Sequence, residues 1–167
     1  VLSGAIPASI ALAERLSAPV ACNYQHNDAF PGSDPLSVGP LGYNGSKAAM
    51  QVIARADVVL ALGTRLNPFS TLPGYGIDYW PKDAKLIQVD INAGRIGLTR
   101  RVAVGIEGDA AQVARGLNRL QPLDRIRGHR LAVRCQQIGV GLSMRSPHAP
   151  AQLVQLRQAE LVGPFND

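Results

Sequence analysis

With 167 residues, 46% of them hydrophobic, the chain is long enough for one domain with a sizeable core and too apolar to be wholly disordered. Its longest apolar run, Val58–Leu62, falls far short of the roughly 18 residues of a membrane span, so no membrane partner is expected. The formal charge is +5, but residues 1–123 hold 11 basic and 9 acidic side chains against 6 and 3 in residues 124–167; the body is nearly neutral, and no nucleic-acid partner is expected.

The first helix is expected over Pro7–Leu16, with Pro7 suited to its first turn and Ile10, Leu12, Ala13 and Leu16 at helical spacing. Pro19–Cys22 reads as a short strand. Residues 23–45 contain three prolines and four glycines and read as a long functional loop. Ser46 can cap a helix over Lys47–Arg55. Ala56–Gly63 is a continuous apolar run closed by glycine, the pattern of a strand buried on both faces. Residues 64–83 read as irregular and hold Phe69, Tyr75, Tyr79 and Trp80, half of the chain's aromatics. Strands over Lys85–Ile91 and Val102–Ile106 follow, and Asp109 with Gln112 resembles a capping box that opens a helix to Leu120.

Strands alternating with helices imply an α/β, Rossmann-like parallel sheet with helices on both faces. Because the series begins with a helix and residue 1 is Val, the chain reads as part of a longer one, with a first strand upstream of Val1. The domain is expected over residues 1–122. Residues 123–167 read as a poorly packed tail, arginine-rich and without lysine, with helical periodicity only over Pro150–Leu161.

Ligands of open parallel sheets bind beyond the carboxyl ends of the strands. Gly45-Ser46-Lys47 stands there as a helix start that could face a phosphate, or as an ordinary capped helix; the order of residues is not that of a P-loop. Arg65, directly after a glycine-terminated buried strand, is a candidate ligand-binding residue. Asp90, at a strand end, is either a ribose contact or a turn cap. His26 and Asp28 in a loop read as a chance pair rather than a metal or acid–base site, and Tyr75, Tyr79 and Trp80 as a cover for the sheet end. Cys22 reads as a buried inert thiol. The two cysteines, Cys22 and Cys135, lie 113 residues apart with no CxxC or Cys/His spacing, which argues against a disulfide framework or zinc site and fits a reducing, cytoplasmic setting. The sequon Asn44-Gly45-Ser46 is then without meaning as a glycosylation signal. No complete catalytic set is visible.

The strings YQHNDAFPGS (24–33), GPLGYNGSKAAM (39–50), ADVVLALGTR (56–65) and IQVDI (87–91), with Gly108-Asp109, resemble the middle domain of thiamine-diphosphate enzymes of the acetolactate synthase group. Within that group, TRLNPFSTLPGYGIDYWPKDAK (64–85) is most similar to the sulfoacetaldehyde acetyltransferase branch. The resemblance runs from Val1 to about Leu120. It implies a three-domain enzyme converting sulfoacetaldehyde and phosphate to acetyl phosphate and sulfite. Thiamine diphosphate and Mg²⁺ would be held by the first and third domains across a subunit interface of a homo-oligomer. The partners implied are those N- and C-terminal domains, and no catalytic residue is expected here. In flavin-containing relatives the middle domain binds FAD. The corresponding surface is Tyr43, Asn44, Gly45, Ser46, Lys47, Arg65 and Asn67, with Asp90 and Asp109 at later strand ends. Of these, Tyr43, Asn44, Arg65 and Asn67 are expected to approach the substrate channel. Leu66-Asn67-Pro68 departs from the acidic pair that often follows Arg65 in those relatives. The resemblance fails after Leu120, and Arg125–Asp167 reads either as the mark of a truncated or frame-disrupted copy or as a divergent tail. The alternative is a stand-alone nucleotide-binding module (FAD or ADP) built on Lys47, Arg65 and Asp90.

Overall fold

The computed structural model describes residues 3–120 and 131–135; the periodic segment Pro150–Leu161 lies outside them. Helix α1 (Ile6–Leu16) carries Pro in its first turn and ends at Ser17 in a left-handed conformation, whose cap brings the Ala18 N–H onto the Ala13 carbonyl. Strand β1 (Val20–Asn23) follows and is buried throughout. A second strand, β2 (Ser37–Leu41), lies inside the segment expected to be one long loop. Gly39 and Pro40 hide it in the sequence, and both are tolerated because β2 is the sheet's edge, where a missing N–H leaves no partner unbonded.

Helix α2 (Lys47–Ile53) starts at Ser46, whose hydroxyl accepts the Ala49 N–H. Strand β3 (Val58–Leu62) is buried over its last four residues, as an apolar run flanked on both faces must be. Strands β4 (Lys85–Asp90) and β5 (Val104–Glu107) precede helix α3 (Ala110–Arg119), capped by Asp109 through the Gln112 N–H. Strand β6 (Leu131–Cys135) comes from the segment expected to be an appendage.

All strands pair in parallel in the order β2-β1-β6-β3-β4-β5. The core divides into two clusters, one on each face of this sheet. On one, Val20, Cys22, Leu60, Leu62 and Val89 meet Ala8 and Leu12 of α1, Ala114 of α3 and Phe30. On the other, Ala21, Val59, Ala61 and Leu86 meet Ala49, Met50 and Ile53 of α2, with Leu66 and Tyr79. This is the α/β class expected, a parallel sheet wrapped by helices on both faces. Asn118 of α3 donates to the Ala8 carbonyl (3.2 Å), tying the two helices of the first face together.

Candidate functional site

The carboxyl edge of the sheet is built from two connected loops. After β2, the chain turns through Gly42 (φ +87°) and Asn44 (φ +53°) before α2. A Cβ at Gly42 would stand 2.3 Å from the Phe69 carbonyl oxygen, so only glycine fits there. Tyr43 donates its N–H to that same carbonyl (2.9 Å), and the Tyr75 hydroxyl donates to the Gly45 carbonyl (3.1 Å). The β2–α2 loop and the 64–77 segment therefore form one ridge. Tyr43, Asn44, Lys47 and Arg65 are exposed along it.

Three expected site residues use their side chains, at least in part, to hold local structure. Ser46 caps α2, Asp109 caps α3, and Asn67 accepts the Ser70 N–H (2.9 Å) to close the 3-10 turn Pro68–Thr71. Asn67 and Tyr43 belong to the same ridge, joined through the turn Asn67 closes. Arg65 sits on the exposed side of a rigid corner: Leu66 is buried at φ +53° with its N–H on Thr64 Oγ1, and the Arg65 carbonyl accepts the Thr99 hydroxyl. Asp90 and Asp109 make a second group at the ends of β4 and β5, linked where the Gly108 N–H reaches the Asp90 carbonyl (3.0 Å).

Asp90 is 2% exposed; its Oδ1 accepts the Asn92 N–H, and its Oδ2 is buried without a hydrogen-bond partner among the described residues. Sequence reasoning passed over Asn23, the last residue of β1. It is fully buried, and neither side-chain amide atom has a partner among the described residues. A polar residue closing a run of apolar strand residues is the signal that could have found it. Buried polar groups are nearly always paired, so both positions stand out.

Gln88, also buried, holds the loops above β4: its amide donates to the Thr64 and Arg95 carbonyls and accepts the Gly97 N–H. The Arg100 guanidinium lies 4.3 Å from the Trp80 ring centroid, and burial lowers its pKa. Cys22 is buried, and desolvation pushes its thiol up to about 11, partly offset by a hydrogen bond to the Phe30 backbone; it is an inert thiol, as expected. His26 Nδ1 stands 4.0 Å from Asp28, and among the described residues no three His, Cys, Asp or Glu side chains converge. A diphosphate-bound divalent cation needs hard oxygen donors gathered at one point, and the described residues do not fit that requirement. An open concavity of about 550 Å³ lies at the opposite, amino-terminal edge, lined by residues 54–58 and 81–85. It is remote from the strand ends where parallel sheets place ligands.

The family described as "Thiamine pyrophosphate enzyme, central domain" matches residues 1–117. The chain belongs to the thiamine pyrophosphate enzyme central-domain family. It is 76% identical over 115 residues to sulfoacetaldehyde acetyltransferase of Roseovarius nubinhibens, covering 69% of this chain and 19% of the relative. It is 74% identical over 117 residues to sulfoacetaldehyde acetyltransferase of Rhodobacter capsulatus, covering 70% of this chain and 20% of the relative. The chain thus spans about a fifth of the curated relatives it matches. A solved structure of a candidate thiamin diphosphate-dependent enzyme from Mycobacterium smegmatis aligns at TM-score 0.55 and 27% identity, over 78% of this chain and 25% of that one.

Proposed function

We propose that this chain is the central domain of a sulfoacetaldehyde acetyltransferase. Its role is to seat and orient the domains that carry thiamine diphosphate and Mg²⁺. The observation that carries the reading is the 76% identity over 115 residues, far more than preservation of a fold requires. The full enzyme would convert sulfoacetaldehyde and phosphate to acetyl phosphate and sulfite, as a cytoplasmic homo-oligomer. No step of that reaction is placed on this chain. Its own residues supply positioning: the ridge from Tyr43 to Lys47, braced by Phe69 and Tyr75, presents Tyr43, Asn44, Arg65 and Asn67 toward the neighbouring domains and the substrate channel.

FAD or ADP contact at the same edge has one observation in its favour, the unpartnered buried polar atoms of Asn23 and Asp90. Against it, the Ser46 and Asp109 side chains are engaged in helix caps rather than available to a ligand. The test is direct. The purified chain, given thiamine diphosphate, Mg²⁺, sulfoacetaldehyde and phosphate, is expected to form no acetyl phosphate. Turnover by the chain alone would overturn the reading, and saturable ADP or FAD binding without turnover would favour a nucleotide module instead.

A further inference from the structure

Residues 74–77 form a turn whose sequence breaks a local rule. The Ile77 N–H donates to the Gly74 carbonyl (2.9 Å), and the same two residues make an antiparallel bridge. Between them, Tyr75 (φ +56°) and Gly76 (φ +69°) are both left-handed, the φ pattern of a type I′ turn. The second position holds the expected glycine. The first favours glycine, asparagine or aspartate, and a bulky side chain there is strained by its own Cβ. Among the described residues, Ser17, Asn44 and Leu66 share such a φ, and Tyr75 carries the largest side chain of the four.

What holds such a backbone differs between the two bulkiest cases. Leu66 (φ +53°) is wholly buried in the second core cluster, with its N–H on Thr64 Oγ1, so packing fixes it. Tyr75 is 64% exposed and has no such cover. The two feet of its turn are seated near α2: a Cβ on Gly74 would stand 3.0 Å from Met50 Cε, and Ile77 packs against the cluster that contains Met50. The tip is tied by the Tyr75 hydroxyl, which donates to the Gly45 carbonyl (3.1 Å), 30 residues away in sequence. One hydrogen bond and the left-handed penalty are of the same order, so the closed turn has little margin. Asparagine would suit the turn better and is too short to span to Gly45.

We infer that Tyr75 is a releasable clasp. Bonded, its hydroxyl draws the 74–77 turn onto the β2–α2 loop and holds the strained backbone; released, the turn relaxes and uncovers the Gly45 carbonyl. A local rule broken without local gain is the mark of a residue kept for a contact elsewhere. The clasp sets how the 64–77 segment sits on the loop that carries Tyr43 to Lys47. It is a property of this chain alone and does not depend on the proposed activity.

NMR and amide exchange on the full isotopically labelled chain test this with two variants. Tyr75→Phe keeps the ring and the strain but removes the hydroxyl. Tyr75→Asn removes the hydroxyl and the strain together, since asparagine before Gly76 is a preferred type I′ pair. In the wild type, the Tyr75 ring is expected to give NOEs to the Gly45 α-protons. In Tyr75→Phe those NOEs should disappear, and the Ile77 amide should exchange at least tenfold faster. In Tyr75→Asn the Ile77 amide should exchange no faster than in the wild type. Residues 58–62 of β3 should keep their protection in all three, which separates release of the turn from loss of the fold. A wild type without those NOEs would overturn the clasp. So would an Ile77 amide equally protected in Tyr75→Phe and the wild type, because ring packing alone would then hold the turn. Equal acceleration in both variants would overturn it too, because strain would then play no part.

Discussion

Two residues show how packing sets chemistry. Cys22 lies under Phe30 in the first core cluster, and burial raises its thiol to about 11, so the folded chain keeps it protonated where an unfolded thiol ionises near 9. The folded state therefore holds the extra proton between those values, and stability falls as pH rises through that window. The loss attributable to this thiol is about 2 to 3 kcal/mol by pH 11. Urea denaturation of wild type and Cys22→Ala from pH 8 to 11 checks it: the gap between the two should narrow or reverse above pH 9. A gap independent of pH would mean that the thiol is not desolvated. Gly42 is the second residue. Alanine there meets the Phe69 carbonyl and requires φ +87°, so Gly42→Ala should cost about 2 to 4 kcal/mol. Gly76 has φ +69° with nothing within 4 Å of an added Cβ, and Gly76→Ala should cost only about 1 kcal/mol. Thermal melts of the pair separate steric contact from backbone strain.

At the scale of elements, the buried Gln88 side chain joins β4 to two loops that neighbour Arg65. Gln88→Leu keeps the volume but strips the Thr64 and Arg95 carbonyls and the Gly97 N–H of their partner. A loss of about 2 to 4 kcal/mol is expected, because abandoned buried polar groups cost more than a hydrogen bond contributes. Hydrogen exchange should show residues 95–99 loosening first; a variant as stable as wild type would mean water replaces the amide. The elements also show where sequence reasoning succeeds. Helices α1, α2 and α3 and strands β3 and β4 were legible because local signals suffice: Pro at a helix start, Ser46 and Asp109 as caps, an apolar run ending in glycine. Strand β2 was not, since Gly39 and Pro40 carry a loop signal that only its edge position neutralises. Strand β6 was not, since its partners lie over 70 residues away and Arg134 breaks its apolar pattern. At the carboxyl edge, Arg65 was singled out by the glycine-terminated apolar strand before it, and Tyr43–Lys47 and Asn67 by resemblance to the family; their role is the one proposed above. Asn23 was hidden, because its burial is a property of the assembled sheet.

For the whole molecule, net charge says little, and the distribution of function across domains says most. The chain spans about a fifth of the relatives it matches, and the proposed role is positioning of the neighbouring domains. Substitution on the exposed ridge should then affect the assembled enzyme without unfolding the domain, whereas Gly42 and Gln88 should act through stability. The most direct measurement of the central claim is a domain exchange: residues 1–117 replace the matching segment of the Roseovarius nubinhibens sulfoacetaldehyde acetyltransferase, and acetyl phosphate formation is followed. The chimera is predicted to keep activity within about tenfold of its parent, since rate changes of that size correspond to about 1.4 kcal/mol. A chimera that folds and assembles like its parent yet forms no acetyl phosphate would contradict the assignment of this chain as that enzyme's central domain.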